Sequence, residues 1–522
     1  MARVSCNPSY SIIKDMHGRG LRNSWNGRLT YRRNSERVSE NITHTTVSSS
    51  SYEDAKPQIQ QSNSWSSTEN NSNNAWNVNF NDGNVNNNNK YNSNVVRPVA
   101  AHREEFPKFF DTFVDAFYDC KKGKAHSKQC IEYLGKANAD LPILASQVYN
   151  FSYHPITSTC FLVRYPKWRE VFAANFRDRI VHHWICQYLE PVFEYRFRRQ
   201  GDVSFNCRKG YGTNKAVEYI SNGIKRVTNN YQKEAWLWRG DLVGFFMSID
   251  KDVMWQLMEL FIRKYLDKDE KEVFELFPEL REAGWKHEYL EVLLYAVKTT
   301  IYHQPAKDCI FNTDVRLWKN LGANKSLLRN PPTKGMPIGN LTTQLFANFY
   351  MSFFDACVQK VFEGQNYCYM RFVDDFTIVC ENKEFLLKSI PVLEYFLNKE
   401  LKLQLHHDKH YSQKASHGVK IVGAVVKNNR TYLSNRTLAR FEERVQGFSR
   451  LMMVKELDTS DCFRIQTVLN SYLGFTKGKR TYNRRKQLLQ MLPPEFYKYF
   501  YIQGHYECIK TRKKYKQLKL EL

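Results

Sequence analysis

Two adjacent carboxylates, Asp374 and Asp375, are the residues of this chain whose types and spacing most clearly suggest chemistry. They lie in the run Tyr-Met-Arg-Phe-Val-Asp-Asp-Phe-Thr-Ile-Val over 369–379, which predicts two short strands joined by a tight turn with both acids at its tip. Neighbouring like charges destabilise a fold unless a cation or hydrogen-bond donors compensate them. A pair of Mg2+ ions bridged by carboxylates does so, and it is the apparatus of phosphoryl transfer. This run alone leaves a surface turn without function as the alternative.

A third carboxylate, Asp241, closes a predicted strand in Trp-Leu-Trp-Arg-Gly-Asp-Leu-Val-Gly-Phe-Phe over 236–246. An acid at a strand end, followed by glycine and aromatic residues, suits a metal-bound triphosphate lying across the turn. The backbone carbonyl of Leu242 is a further candidate metal ligand. Phe246 is a candidate to pack beneath the sugar and exclude a 2′-hydroxyl group. Taken alone, Asp241 is equally well explained as a helix N-cap.

A loop with glycine and proline, Gly-Met-Pro-Ile-Gly-Asn-Leu-Thr-Thr-Gln over 335–344, precedes a predicted apolar helix. Glycine lets the backbone approach a base pair or a phosphate closely, and the Thr and Gln side chains offer donors and acceptors. The loop is therefore a candidate substrate-binding element. An ordinary loop at the start of a helix is the alternative.

Several basic residues are candidate phosphate ligands or proton donors. Arg208 and Lys209 lie in a glycine-containing turn, which suits phosphate contact, although a solvated turn has the same pattern. Arg177 precedes an apolar helix and has Asp178 beside it, so part of its charge can be structural. Lys409 follows the Asp-Asp run and is a candidate general acid for a departing pyrophosphate, with a surface lysine as the alternative.

The elements that must position these residues belong to a chain of 522 residues, of which 42% are hydrophobic and 14% aromatic. This length predicts about two to four domains. The net charge is +24, and most of it lies in residues 101–522. A folded body this basic most often binds nucleic acid, although binding to an anionic membrane surface or a need for solubility also favours such a charge.

The sequence has no apolar stretch of membrane-spanning length and no apolar segment of signal-peptide type. Its 12 cysteines are scattered, without a Cys-x-x-Cys pair. We therefore expect a cytoplasmic protein with reduced thiols, with no zinc site and no membrane partner.

Residues 1–100 are rich in Ser and Asn and differ in composition from everything that follows. Such a polar segment buries too little apolar surface to offset its chain entropy, which predicts disorder. Residues 76–80 nevertheless alternate as a strand does, and Asp-Gly at 82–83 is a hairpin signal. This stretch therefore looks like a fragment of a fold whose remainder is absent.

Together, the order of these features resembles a reverse transcriptase. Basic segments come first, followed by the strand-end Asp241, the Gly-x-Pro-x-Gly loop, Val-Asp-Asp, Lys409, a Lys-Ile-Val-Gly strand at 420–423 and a basic tail. Most reverse transcriptases carry Gln-Gly-x-x-x-Ser-Pro in the loop, whereas this chain has Ile338-Gly-Asn-Leu-Thr-Thr-Gln344. That form is similar to the Ile-Gly-x-x-x-Ser-Gln loop of reverse transcriptases from diversity-generating retroelements. Thr343 replaces Ser and keeps the hydroxyl group.

Further segments also resemble that family, and the likeness extends over roughly residues 104–510. They are 169–183, 324–327 and 470–474. The resemblance implies an α+β, right-handed polymerase whose palm is an antiparallel sheet packed on helices. It implies fingers with N-terminal helices in 101–235, a palm in 236–430 with an inserted helical segment at 252–334, and a basic helical thumb in 431–522. The low-complexity extension 1–100 would precede them.

The resemblance also implies an activity and partners. Such an enzyme copies a template RNA into cDNA from a primer and dNTPs, misincorporates opposite template adenines, and so diversifies a target gene. It acts with a basic accessory variability determinant protein and is bacterial or phage-encoded. Asparagine codons are AAT and AAC, so the Asn-rich part of 1–100 indicates an adenine-rich gene segment. We therefore interpret residues from about 60 to 100 as a translated template repeat, with a disordered tail as the alternative.

Site roles follow from the same resemblance. Asp241 and Asp374 would hold two Mg2+ ions with help from Asp375, and Ile338, Gly339 and Gln344 would lie against the templating base and the incoming nucleotide. The candidate phosphate ligands of the fingers are Arg169, Arg177, Arg208 and Lys209. An antiphage-defence reverse transcriptase, a group II intron-like or retron enzyme, and a non-catalytic RNA-binding scaffold remain as alternatives.

Overall fold

A computed structural model describes residues 106–125, 127–164 and 167–515, together with three strands nearer the N-terminus. These strands are β1 (Asn63–Glu69), β2 (Asn74–Asn79) and β3 (Val85–Asn89). They pair antiparallel in the order β1-β2-β3. The alternation predicted at 76–80 thus falls largely within a strand. The Asp-Gly turn and the predicted disorder of the extension lie outside the described residues.

The first described helices build an aromatic core. They are α1 (Phe106–Lys121), α2 (Lys128–Leu134) and α3 (Ala137–Tyr149). Phe109, Phe113 and Phe117 recur at helical spacing and are buried on one face of α1, as the sequence predicts. The Phe113 ring stacks on Trp184, with 5.2 Å between ring centroids. The indole of Trp184 donates a 2.8 Å hydrogen bond to the hydroxyl of Thr112.

Two strands and two long helices follow. They are β4 (Ser158–Val163), β5 (Arg169–Ala173), α4 (Phe176–Arg199) and α5 (Thr213–Val227). The side chain of Asn175 caps the start of α4 by accepting from the backbone N–H of Arg177. β4 and β5 pair antiparallel, from Thr159 opposite Ala173 to Val163 opposite Arg169. This register places Arg169 at the end of the β4–β5 pair where the chain connects the two strands.

The next stretch begins with the strand that carries the third carboxylate. Its elements are β6 (Trp236–Gly240), α6 (Phe245–Ser248), α7 (Lys251–Leu266), α8 (Glu270–Leu276), α9 (Pro278–Glu282), α10 (Leu290–Tyr302) and β7 (Cys309–Phe311). The segment predicted as helical over 252–334 is α-helical only as far as Tyr302. Beyond it, prolines and a glycine interrupt the helical pattern, and the chain forms β7 and three 3₁₀ turns. β7 pairs parallel with β4 and so completes a three-stranded sheet in the order β5-β4-β7.

A long buried helix and a hairpin come next. The elements are α11 (Leu341–Val361), β8 (Tyr367–Phe372), β9 (Asp375–Cys380), α12 (Lys383–Lys399), β10 (Tyr411–Lys414), β11 (Val419–Ile421), β12 (Ala424–Lys427) and β13 (Arg430–Leu433). β8, β9, β6 and β10 form one antiparallel central sheet in the order β10-β6-β9-β8. Since its strands alternate, Trp238, Phe376 and Ile378 face a core of helices, whereas Leu237 and Val379 face α5 and β11–β12. An α+β fold with an antiparallel sheet packed on helices is therefore confirmed.

The C-terminal part of the chain forms a separate cluster of buried residues. Its elements are α13 (Asn435–Val454), α14 (Thr459–Thr476), α15 (Tyr482–Gln490), α16 (Phe496–Tyr499), β14 (Phe500–Gln503) and β15 (Cys508–Thr511). The predicted helices are present, but an antiparallel hairpin of β14 and β15 completes them, so this part is not wholly helical. In the described part of the chain, no helix is long and apolar enough to span a membrane. The domain limits inferred from the sequence stay predictions.

Candidate active site

The hairpin of β8 and β9 carries the two adjacent carboxylates at its tip, as the residue pattern predicts. Phe372 pairs with Asp375, so Val373 and Asp374 alone form the connection. Val373 has a φ of 63°, a left-handed conformation that a β-branched residue rarely adopts. Such strain persists only where neighbouring contacts hold it, and it is found preferentially at functional sites.

Arg371 provides one of these contacts. Its guanidinium donates a 3.1 Å hydrogen bond to the carbonyl of Val373. It also donates to both carboxylate oxygens of Asp355 on α11, at 2.7 and 2.6 Å. Both side chains are buried, and the hydroxyl of Tyr369 donates to the same carboxylate at 2.7 Å. The strained turn is thereby tied to the long central helix, an anchor that the sequence pattern does not reveal.

Asp241 follows β6 directly and lies at the same end of the central sheet as the hairpin tip. The register pairs Gly240 with Phe376, and a Cβ at Gly240 would overlap the phenylalanine ring. The backbone N–H of His406 donates to the Asp241 carbonyl at 2.8 Å, which holds the strand end in place. The ammonium of Lys409 lies 3.1 Å from the Asp241 carboxylate. Lys409, chosen as a candidate proton donor, is therefore in the site.

The two adjacent carboxylates have different surroundings. Asp375 accepts hydrogen bonds to both oxygens from Arg239, one of them at 2.8 Å and the other shorter. Asp374 forms no ion pair with any described residue. Burial, with the charges of Asp241 and Asp375, raises the pKa of Asp374 to about 6, while Arg169 opposes the shift. Burial also raises the pKa of Asp375, and Arg239 opposes it.

Cations without a carboxylate partner lie near these acids or near the lysine beside them. Lys167, Arg169, Lys325 and Arg436 are exposed, and none of them pairs with a carboxylate in the described residues. Partial burial lowers the pKa of Lys167, as do the nearby charges of Lys409, Arg436 and Lys325, and Asp241 opposes this shift. Of the four cations, only Arg169 was chosen from the sequence. Lys167 is an isolated lysine with no pattern around it, and Arg436 is one of many basic residues of the C-terminal region. Lys325 lies in the segment 324–327 that resembles the family, but no site role was predicted for it.

The loop at 335–340 joins β5 to the residues that follow Asp241. On one side, the N–H of Phe172 donates to the Ile338 carbonyl at 2.9 Å. On the other, the N–H of Met336 donates to the Phe246 carbonyl at 2.7 Å. Gly339 has a φ of 127°, and a Cβ there would lie 2.8 Å from a methyl carbon of Val171, so glycine is required.

The candidate nucleotide-contacting side chains flank this loop. Ile338 is half-buried and packs on the apolar cluster of Phe172, Met247 and Leu327. Phe246 is half-buried, with its ring 5.1 Å from that of Phe245. Gln344 is exposed in the first turn of α11, and the Leu242 side chain is buried. The loop therefore lies between β5 and the α6 region.

Two of the predicted phosphate ligands, Arg208 and Arg177, are buried in ion pairs inside the fold. The buried Arg208 guanidinium donates to Glu194 at 2.7 Å, to Asp202 at 2.6 Å and to the Ser204 carbonyl at 2.9 Å. The ring of Tyr211 covers it at 3.9 Å. The choice of Arg208 as a phosphate ligand is therefore wrong, because its donors are already used inside the fold.

The prediction that Arg177 binds phosphate is wrong for the same reason. It donates to Asp140 at 2.9 Å and to Gln147 at 2.7 Å, with only 9% of its side chain exposed. Its partner is not the adjacent Asp178, which instead accepts from the hydroxyl of Tyr153. Lys209 pairs with Glu190 at 2.6 Å, but its side chain is 90% exposed, so it remains accessible to a ligand.

The donor set suits Mg2+, which prefers carboxylate oxygens. No three His, Cys, Asp or Glu side chains form a closed metal cage in the parts that the structure describes. Of the three acids, Asp375 is paired with Arg239 and Asp241 with Lys409, and Asp374 has no ion pair in the described residues. This agrees with the usual protein chemistry of Mg2+, which takes one or two carboxylates and completes its shell with water and substrate phosphates. Asp374 and Asp241 are the residues that fit this role.

Comparison with known proteins gives weak likenesses only. No protein-family model and no curated protein matches the chain. Among solved structures, apo telomerase from Candida tropicalis matches at 12% identity and a TM-score of 0.37, over 65% of this chain and 62% of that one. Telomerase from Candida albicans, in complex with a fragment of telomeric RNA, matches at 12% identity and a TM-score of 0.38, over 66% and 57%. At these scores the likeness carries no argument about what this chain binds or does.

Proposed function

We propose that this chain is an RNA-directed DNA polymerase. The observation that supports it best is that Asp241 and Asp374 lie near Lys167 and Arg169, which have no carboxylate partner among the described residues, with the charges of Lys325 and Arg436 acting on Lys167. Acids alone would suit a metal site, and cations alone would suit any anion. Both together suit a metal-bound polyphosphate, whose charge satisfies the two sets at once.

In this proposal, different residues of the site bind the metal, bind the triphosphate and transfer a proton. Asp374 and Asp241 hold Mg2+, and Arg239 positions Asp375 beside them. Bound Mg2+ supplies a Lewis acid that lowers the pKa of a primer 3′-hydroxyl and neutralises charge on the triphosphate. Arg169 binds the triphosphate, and Lys409 protonates the departing pyrophosphate.

Contacts along the nucleic acid complete the proposal. The loop at 335–344 presents Ile338 and Gln344 to the base pair being formed, and Phe246 packs beneath the sugar. The basic residues of the C-terminal region bind the template–primer backbone, which makes affinity fall steeply with salt. RNA and a DNA primer are therefore the proposed macromolecular ligands.

A finer proposal concerns the type of polymerase. The Ile338-to-Gln344 loop supports the diversity-generating class, in which a template repeat is copied with errors opposite adenine and a basic accessory protein takes part. Reverse transcriptases of antiphage defence share the same catalytic carboxylates. The loop at 338–344 is therefore the feature that favours the diversity-generating class over them. Under this proposal, the accessory protein raises cDNA yield on the cognate template.

Primer extension tests both levels. The full chain, with dNTPs, Mg2+ and a primed RNA template, is expected to yield cDNA, and chelation of Mg2+ by EDTA is expected to stop the reaction. Sequencing of that cDNA is expected to find errors concentrated opposite adenine. Uniform errors would overturn the diversity-generating type and leave the polymerase standing. RNA binding without any incorporation would overturn the polymerase and favour a non-catalytic scaffold.

A further inference from the structure

A short segment between β7 and α11 packs against the candidate site. It spans 322–327, Gly-Ala-Asn-Lys-Ser-Leu, and contains a 3₁₀ turn at Ala323–Lys325. The Asn324 carbonyl oxygen lies only 2.6 Å from the position that a Cβ of residue 244 would take, so any side chain in place of Gly244 would clash with it. Gly244 has a φ of 51° and follows Asp241 by three residues. The segment is therefore packed directly on the turn that carries the third carboxylate.

Glu170 fixes the other side of this segment. Its carboxylate is fully buried and accepts from the Ser326 hydroxyl at 2.7 Å and from the Leu327 N–H at 2.5 Å. The indole of Trp318 donates a third hydrogen bond, at 2.7 Å. A buried carboxylate without a cationic partner needs several such donors. Glu170 is adjacent to Arg169 on β5, so it ties the segment to the strand that brings that arginine to Asp374.

Lys325 lies between these two anchors. It is exposed and has no ion-pair partner in the described residues, and its charge acts on Lys167 beside Asp241. Bringing like charges together costs free energy unless an anion joins them. A rigid segment that holds a lysine among other cations therefore points to an anionic ligand at this place.

We propose that the segment 322–327 is a nucleotide-binding element in which Lys325 contacts the polyphosphate of an incoming nucleoside triphosphate. Glu170 is its positioning residue, because it accepts from the Ser326 hydroxyl and the Leu327 N–H on one side while Asn324 packs against Gly244 on the other. This inference rests on the proposed polymerase function and adds to it a phosphate ligand from outside the β4–β5 strand pair. A solvated lysine that merely faces the site is the alternative.

Three variants of the full chain test it, each assayed by steady-state dTTP incorporation on primed RNA. Lys325→Ala is expected to raise the KM for dTTP about tenfold, because one charge-assisted contact to phosphate is lost. Lys325→Arg keeps the charge and is expected to restore most of the affinity. Lys319→Ala removes another exposed lysine of the same connection and is the matched control, expected to leave KM at the wild-type value. Affinity for the primed template is expected to be equal in all three variants.

A second readout does not depend on catalysis. Binding of inorganic triphosphate with Mg2+, measured by calorimetry, is expected to weaken about tenfold in Lys325→Ala and to stay unchanged in Lys319→Ala. If wild type incorporates dTTP and Lys325→Ala does so with the same KM, the inference is wrong and the polymerase stands. If wild type incorporates nothing, the polymerase proposal fails. Equal triphosphate binding by wild type and Lys325→Ala would then overturn the inference as well.

Discussion

Two basic regions of the molecule, the residues around β5 and the turn at 205–213, carry cations in opposite environments. Arg169 is exposed beside Asp374 and has no carboxylate partner in the described chain. Arg208 is buried, with Glu194 and Asp202 around it. Each lies in a basic stretch that favours phosphate contact when only the sequence is considered. Whether an arginine binds a ligand or holds a fold together therefore depends on which acids the tertiary structure brings to it.

The largest expected effect separates these regions by stability. Arg208→Ala leaves two carboxylates near a buried site without their cation, which is expected to lower the free energy of unfolding by about 3–5 kcal/mol. Urea titration followed by circular dichroism measures this change. Arg169→Ala is the matched control, because an exposed, unpaired arginine contributes little to stability. Equal stability of Arg208→Ala and wild type would remove the structural role of Arg208.

The rate of dNTP incorporation is expected to change in the opposite way, with a large loss for Arg169→Ala and a small one for Arg208→Ala. Arg169→Ala is expected to slow dNTP incorporation about a hundredfold, because a cation aimed at developing phosphate charge is lost. Single-turnover primer extension at saturating template measures the rate. Arg208→Ala, assayed at a temperature where it stays folded, is expected to keep most of its rate. The comparison fails if Arg208→Ala loses as much activity as Arg169→Ala while it remains folded.

Glu170→Gln tests how the buried Glu170 of β5 positions the 322–327 segment. The amide places a donor where the carboxylate accepts from the Leu327 N–H or from Ser326 and Trp318, so the 322–327 segment is expected to loosen. The KM for dTTP is expected to rise about fivefold with little change in kcat, since a positioning contact is weakened and the carboxylates are untouched. If kcat fell about fivefold while the KM stayed unchanged, this role would be contradicted.

Lys209→Ala is expected to have the smallest effect. Its exposed pair with Glu190 contributes less than about 1 kcal/mol to stability. If the ammonium also contacts a template phosphate, the slope of log Kd against log salt is expected to fall by about one. Fluorescence anisotropy with a labelled RNA–DNA hybrid measures that slope. An unchanged slope would remove Lys209 from the phosphate ligands, as the geometry has already removed Arg208.

Local patterns predicted much of the fold. Apolar and β-branched flanks predicted the hairpin around Asp374, and phenylalanines at helical spacing predicted the buried face of α1. These features depend on neighbours in sequence, where period and turn chemistry suffice. Strand β7 was not predicted, because it pairs with β4, roughly 150 residues away. Pairing at such separation leaves no local signal.

The acids of the candidate site are easier to choose from the sequence than its bases. Asp241 and Asp374 end a strand and a hairpin, so each is marked by the element before it. Lys325, Arg239 and Arg371 have no such marker, because their roles come from Gly244, Asp375 and Asp355 in other parts of the chain. A cation is long and exposed in many contexts, and only its partners tell a ligand-binding residue from a structural one.

The most direct test of the polymerase proposal is primer extension by Asp374→Asn, with stability measured on the same sample. Asp374 lies near two like charges and has no cation paired to it in the described structure, so its replacement is expected to leave the free energy of unfolding undiminished. Incorporation of dNTPs on primed RNA is expected to be abolished, with template affinity retained. Glu384→Gln, an exposed carboxylate variant on α12, is the control and is expected to be fully active. Full incorporation by Asp374→Asn would contradict the proposed catalytic role of this carboxylate.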